Sequence, residues 1–304
     1  MTEVLIDLEE IHRFYGDFEA LKGISLKVEK GQIFGYLGPN GSGKTTTIKL
    51  ILGLIKPSFG TVKVIGGDPY TENTRINIGS MLELDGLYEK LTGFENVVYW
   101  AKLFGINDSN AAEQAKNAIK MVEMSDWADV KVSKYSFGMR KRLSLARALI
   151  SDPDVIILDE PTVGVDPETR YIIREMMKSL ASQGKTIFFS SHDLEEIQKT
   201  CTHVAIIKKG KLIFNGTLND VLAQFGKPKI FIRLKTSDDA KLFGRILEDM
   251  KNKINIEGPV ISFYPKNDFN IHDFSKYGIL DNWKVESSLE EVYLNLVSDK
   301  EEEP

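Results

Sequence analysis

Cysteine is almost missing from this chain of 304 residues: Cys201 is the only one. A lone thiol closes no intramolecular disulfide and builds no cysteine-rich zinc framework, and it fits a reducing compartment. Histidine is nearly as scarce. His12, His192, His203 and His272 are scattered without metal-ligand spacing. Positive charge is not in excess either. Lys and Arg number 39 against 44 Asp and Glu, a net charge of −5, so no global basic field draws the chain to nucleic acid. Long apolar runs are lacking too: those at 51–55 and 155–158 fall far short of the roughly 20 residues of a membrane span. The first ten residues are acidic, with no basic segment followed by an apolar one, so no signal peptide is expected. With 42% hydrophobic and 27% charged residues, the composition is that of an ordinary globular protein. The expectation is a cytosolic chain that serves a membrane, if at all, through a partner.

Along the first 220 or so residues, short apolar runs alternate with helical patterns. A run at 33–37 ends in a glycine-rich turn. A helix is expected from Lys44 to about Leu54, stopped by Lys56-Pro57-Ser58-Phe59-Gly60. Residues 61–65 read as a strand, and 87–149 read as mostly helical. The continuous apolar runs at 155–158 and 186–190 are typical of strands covered on both faces, and 204–207 with 212–214 read as a hairpin. Strands alternating with helices predict an α/β core around a parallel sheet. Near Gln224-Phe225-Gly226-Lys227-Pro228 the texture changes to that of a linker. Beyond it come a strand at 230–234, a helix over 238–250, a strand at 259–264, a helix opened by Ser288 and Glu291 as a capping box, and a frayed acidic tail at 299–304. This predicts a second, small α/β domain.

Gly38-Pro39-Asn40-Gly41-Ser42-Gly43-Lys44-Thr45 matches the phosphate-binding loop pattern G-x-x-x-x-G-K-[ST], between a strand and a helix. Glycines let backbone amides wrap around phosphate oxygens, and the helix start adds positive partial charge. Gly38 through Thr46 are therefore candidate nucleotide-binding residues, with the Lys44 ammonium on the β- and γ-phosphates and the Thr45 hydroxyl on Mg²⁺. Asp159 and Glu160 end the apolar run at 155–158. Asp159 suits Mg²⁺ ligation, either directly or through a bound water. Glu160 suits orienting a water and taking its proton. His192, after the next apolar run, suits sensing or stabilising γ-phosphate charge.

Together these residues resemble the ATP-binding subunits of ABC transporters, across about residues 1–225. The most specific stretch is Tyr135-Ser136-Phe137-Gly138-Met139-Arg140-Lys141-Arg142, similar to the ABC signature Leu-Ser-Gly-Gly-Gln, with Phe137 and Met139 in place of the second glycine and the glutamine. That form is similar to the drug, antibiotic and sodium exporter group. The resemblance implies that ATP is sandwiched between two subunits, with Ser136 and Gly138 facing the phosphate loop of the opposite chain. It implies that Tyr15 stacks on adenine, with Phe14 the alternative one position earlier. It implies that Asp166 belongs to the loop linking the two ATP sites. Glu83 falls where the family usually carries a glutamine that touches Mg²⁺ and the attacking water. The apolar residues at 84–95 fall where the family meets its membrane subunit.

The expected architecture is thus a P-loop ABC-type nucleotide-binding domain at 1–225, with a helical subdomain at about 85–150, plus a C-terminal α/β domain at 226–304. The ending Ser287 to Leu296 resembles the C-terminal extension of the same exporter group, which implies dimer stabilisation or regulation. The resemblance implies ATP and Mg²⁺ as ligands, a homodimer across ATP, an integral membrane permease as partner, a place on the inner face of the membrane, and no direct nucleic-acid contact. The rival class is a soluble ABC ATPase acting on nucleic acid or ribosomes. Those usually carry two cassettes or long coiled-coil insertions, and this sequence has neither.

Overall fold

A computed structural model describes residues 2–226, 228–249, 254–265, 274 and 277–298. The chain divides into two compact units, Met1–Leu218 and Asn219–Pro304. Among the described residues no helix is long and apolar enough to cross a membrane.

In the first unit, β1 (Val4–Tyr15) and β2 (Phe18–Glu29) form an antiparallel pair. In β2, Ile24, Leu26 and Val28 are buried, with Ser25 and Lys27 exposed between them, the alternation of a half-covered strand. The second sheet is built on β3 (Ile33–Leu37), which is buried at all five positions. After it come α1 (Lys44–Ile51) and β4 (Phe59–Val64), which pairs with β1 to give a three-stranded antiparallel sheet, β2-β1-β4. This sheet is absent from the sequence expectation, which reads only its last strand. Helix α1 also ends three residues before Leu54, in a turn through Gly53 at φ +63°.

A short turn of helix, α2 (Glu72–Arg75), precedes β5 (Ile78–Met81). The helical region follows: α3 (Gly93–Leu103), α4 (Asp108–Met121), two 3-10 turns, and α5 (Phe137–Leu149). Each helix start is capped by its own preceding side chain. Thr92 and Glu95 form a capping box, and the Asn107 and Ser136 side chains accept from Asn110 and Met139 amides. The main sheet continues with β6 (Val155–Asp159), α6 (Pro167–Ser182), β7 (Thr186–Ser191), α7 (Leu194–Thr200), β8 (His203–Lys208) and β9 (Lys211–Thr217). Its order is β5-β6-β7-β3-β8-β9, parallel except for the β8–β9 hairpin.

The two sheets and α1 share one apolar core. Ile6, Leu8, Ile24 and Leu26 of the small sheet join Phe34, Ile157 and Phe188 of the large one and Ile48 and Ile51 of α1. The Phe34 and Phe188 rings stack at 5.6 Å. Each fully buried Ile, Leu or Phe is worth about 1.5–3 kcal/mol, so this core rigidly carries the loops that leave the strand ends.

The second unit takes in α8 (Leu218–Phe225) after its first residue, then β10 (Lys229–Leu234), α9 (Ser237–Asp249), β11 (Ile254–Glu257), β12 (Val260–Phe263), β13 (Ile279–Val285) and α10 (Leu289–Ser298). The strands form an antiparallel sheet in the order β11-β12-β10-β13. Ala240, Phe243 and Leu247 of α9 pack on Ile232, Leu234, Ile261 and Phe263. The expected joint at Phe225 and Gly226 therefore moves to Leu218 and Asn219. Gly226 closes α8, with its amide on the Leu222 carbonyl, and any Cβ there would stand 3.4 Å from Ser287. The Gly-Pro cluster ends a helix of the second unit. The Ser288–Glu291 capping box forms as expected. Lys227, Met250, His272 and the tail at 299–304, all named above, lie outside the described residues.

Candidate active site

Strands β6, β7 and β3 are consecutive in the sheet and parallel, so their carboxyl ends meet at one edge. In open α/β sheets this edge is where ligands bind. The loop after β3 is pinned to its neighbour by the Gly38 amide, which donates to the Ser191 carbonyl at 3.3 Å. Two glycines are demanded by space. A Cβ on Gly38 would stand 2.5 Å from the Ile207 carbonyl oxygen, and Gly43, at φ +114°, would place one 2.7 Å from Leu21. Gly43 is the N-cap of α1 and offers no side chain, so no side chain satisfies the first amides of that helix. They point positive partial charge into the loop. Pro39 accepts from the Ser42 amide at 3.2 Å, and the Ser42 hydroxyl is buried with no partner among the described residues. The Lys44 side chain is 7% exposed; its ammonium donates to the Gly38 carbonyl at 2.7 Å and lies 3.2 Å from Glu160 Oε1.

Asp159 is buried at the end of β6, and its two oxygens are both engaged. Thr45 Oγ1 donates to Oδ2 at 3.1 Å and Ser190 Oγ to Oδ1 at 2.6 Å. The same Ser190 hydroxyl accepts from the Glu160 amide at 3.0 Å. Glu160 has φ +48°, a strained conformation for a residue with a Cβ, and the Ser190 bond helps hold it there. Its carboxylate lies between Lys44 and His192, whose Nδ1 is 3.0 Å from Oε2. Ser190 thus ties both carboxylates to the neighbouring strand. No motif in the sequence singles it out. The switch from apolar Phe188-Phe189 to Ser190-Ser191 at the end of β7 is the one signal it left. Hard oxygens on Thr45 and Asp159 suit Mg²⁺, which keeps most of its waters and takes few protein ligands.

These groups open into one cleft of about 760 Å³. Asn40, Gly41, Gly43, Thr45 and Thr46 line its floor with Lys44, and Asp159, Glu160 and His192 its acidic side. Tyr15, Phe18 and Ala20 form another wall. The Tyr15 ring stacks on the Arg13 guanidinium at 4.7 Å, whereas Phe14 turns away, edge-on to Phe59 at 6.3 Å. Of the two aromatics, Tyr15 is therefore the one at the cleft. Glu83, Leu84 and Phe137 are exposed in the rest of its lining, and Lys141 is buried there.

Ser136, Gly138 and Asp166 do not line this cleft. Ser136 Oγ caps α5, accepting from the Met139 amide at 3.2 Å. Asp166 caps α6 in the same way, accepting from the Thr169 amide at 2.9 Å and its hydroxyl at 2.8 Å, bonds that hold its carboxyl below the usual range. Gly138 lies against that cap. A Cβ there would stand 2.8 Å from Thr169 Oγ1 and 3.2 Å from Asp166 Oδ2. The next turn of α5 anchors the loop after β5. Arg140 grips Asp85 through Nε at 2.7 Å and Nη2 at 3.2 Å. Burial works to raise the Asp85 carboxyl, but Arg140 and the Leu87 amide outweigh it and hold it below the usual value.

An uncapped helix start behind a glycine loop, with a lysine and a carboxylate pair on adjacent strands, has the equipment to bind a nucleotide by its phosphates and activate water against the last one. The domain is a P-loop nucleotide hydrolase. Residues 21–163 match the family described as ABC transporter. The chain is 34% identical over 268 residues to the Nod factor export ATP-binding protein I of Cupriavidus metallidurans, covering 87% of each. It is 36% identical to the linearmycin resistance ATP-binding protein LnrL of Bacillus subtilis, over 73% of this chain and 72% of that one. A solved dimeric structure of the ATP-binding cassette MJ0796, in a post-hydrolysis state bound to ADP and Pi, superposes with a TM-score of 0.64 at 28% identity, covering 70% of this chain and 99% of that one. The chain belongs to the ABC transporter family, among its ATP-binding, ATP-hydrolysing subunits.

Proposed function

We propose that this subunit hydrolyses Mg²⁺-ATP in a homodimer and drives a separate integral membrane permease, as an exporter, from the cytoplasmic side of the membrane. Glu160 is the general base. Lys44 and His192, which flank its carboxylate, face the γ-phosphate of ATP. Tyr15 stacks on the adenine, and the first amides of α1 receive the phosphates. Thr45 and Asp159, with Glu83 nearby, would hold Mg²⁺, which would neutralise charge on the phosphoryl oxygens. Export rests on the relatives, one named for Nod factor export and one for linearmycin resistance. They favour a transporter over a soluble ATPase acting on nucleic acid or ribosomes.

The observation that carries the dimer is an incomplete site. One chain puts the phosphate loop, Glu160 and His192 in the cleft but leaves Ser136 and Gly138 outside it. A two-fold pairing brings Ser136, Gly138 and Asp166 of each chain to the ATP of the other through one self-complementary interface. Hydrolysis then removes a shared contact, which loosens the pair and moves the permease. The test is a distance measurement between spin labels at the exposed positions Lys49 on one chain and Ser133 on the other, in an E160Q, C201S background with permease present. ATP should shorten the distance and ADP lengthen it. A distance indifferent to nucleotide refutes the shared site.

A further inference from the structure

Lys141 has no part in the roles above, yet it is on the cleft wall. It lies one turn after Phe137 on α5 and is only 5% exposed. Its ammonium stands 5.6 Å from the Phe137 ring centroid, and no carboxylate among the described residues lies within the 4.0 Å of an ion pair. A buried ammonium is unfavourable unless opposite charge faces it. Burial pushes Lys141 down from the usual lysine value, and Glu83, Asp159, Asp85 and Glu160 act against that, Glu83 first. Three of these four carboxylates are already satisfied. Asp159 has the Thr45 and Ser190 hydroxyls, Glu160 has Lys44 and His192, and Asp85 has Arg140. Glu83 alone has no hydrogen-bond or ion-pair partner among the described residues, and it stands where the family resemblance implies a neutral glutamine. A third carboxylate beside Asp159 and Glu160 opposes a triphosphate.

We propose that Lys141 is the countercharge of Glu83: an ammonium of the same chain, buried beside Phe137, whose field offsets the extra carboxylate on the lining of the nucleotide cleft. Lys141 is buried while Glu83 is exposed, and they form no ion pair, so Lys141 acts on Glu83 through its field and not through a contact. The Phe137 ring adds a cation–π contribution, so the large residue at a usual glycine position of the signature has a use within its own chain. This rests on the reading of the cleft as the ATP site.

The test is a double-mutant cycle on the full chain. ATP affinity is titrated in an E160Q background, with Mg²⁺ and separately with a chelator, and the melting temperature of each variant is recorded. K141Q should weaken ATP binding about tenfold when Glu83 is present and about twofold or less when combined with E83Q, a coupling of ordinary size. K141R, which keeps the charge, should weaken it less than K141Q. Equal losses with and without E83Q, no loss at all, or K141R behaving like K141Q would each overturn the proposal. If K141Q alone is too unstable to titrate, restoration of its melting temperature by E83Q supports the coupling, and failure to restore it counts against. The underlying reading fails separately: if E160Q turns over ATP normally in steady state, the cleft is not the hydrolytic site, whatever the Lys141 variants do.

Discussion

The starts of α1 and α5 are two helix N-termini with opposite solutions to the same problem. Each leaves its first amides without intrahelical partners. At α1 the N-cap is Gly43, which has no side chain, and the amides remain available to a ligand. At α5 the N-cap is Ser136, whose hydroxyl already takes the Met139 amide. The first end lines the cleft with its amides free of any side-chain cap. The second is satisfied by its own serine and sits outside the cleft. On the proposed reading, that difference makes a single chain half of a site, the second end meeting a nucleotide carried by the other chain.

Mutations on either side of this contrast sharpen it. The largest effect belongs to the α1 side. E160Q should cut steady-state turnover by about 10²–10⁴-fold while leaving ATP bound, because general-base catalysis is worth that much and the phosphate contacts survive. Phosphate release by the purified variant measures it, and near-normal turnover would remove Glu160 from its role. Next, K44A deletes a charge-assisted contact worth about 1.5–3 kcal/mol, roughly a 10–100-fold loss of ATP affinity. Wild-type affinity on titration would mean that the phosphates lie elsewhere. Y15A should cost a comparable amount, about 1–3 kcal/mol of stacking, felt by ATP but not by inorganic triphosphate. If F14A carries the loss instead, the aromatic wall is misassigned by one residue.

The α5 side should respond more mildly and in a different observable. S136A should lower the stability of the first unit by about 1 kcal/mol, the ordinary worth of a hydroxyl cap, and shift its melting point by roughly 2–4 °C. ATP affinity of the isolated chain should barely move, and only nucleotide-driven pairing should suffer. An equal loss of monomer affinity would break the contrast. The smallest effect is at Asp85, which ties α5 to the loop after β5. Its folded pKa lies below the ordinary 3.8, so its stabilisation is complete above that value and is lost as pH falls through the folded one. The pair is partly exposed, so the gain is at most about 1 kcal/mol. D85N should flatten the acid limb of a melting-temperature profile below about pH 4. An unchanged limb would mean that Arg140 contributes no charge-dependent stability there.

The chemistry was legible in the sequence where it depends on local spacing. Gly38 to Thr45 must be contiguous for one loop to wrap phosphates, and an apolar run ending in Asp159-Glu160 needs no distant information to be read as a strand tip. The continuous apolar strands of the parallel sheet were visible for the same reason. The hairpin of β1 and β2 was not: the apolar residues of β1 fall out of simple alternation at the register shifts after Leu8 and Ile11, and in β2 only 24–28 alternate cleanly. Nor was the Gly226 region readable as a helix end, since the same glycine and proline serve linkers and caps alike.

By itself the sequence determined the phosphate loop, the acidic pair, the signature stretch and hence the family. Covalent neighbours and strand or helix periodicity are local properties, and the chain carries them wherever it goes. Tertiary structure alone decided that Tyr15 and not Phe14 faces the cleft, and that Ser190 binds both Asp159 and the Glu160 amide. It also decided that Lys141 is buried on the wall that carries Glu83, while Ser136 stays outside. The cleft contacts depend on residues from 30 positions apart (Glu160 and Ser190) to 177 apart (Tyr15 and His192) being brought together, while Ser136 is left out. That placement follows from the order β6-β7-β3 and from the shared core that fixes it, and no local pattern encodes either.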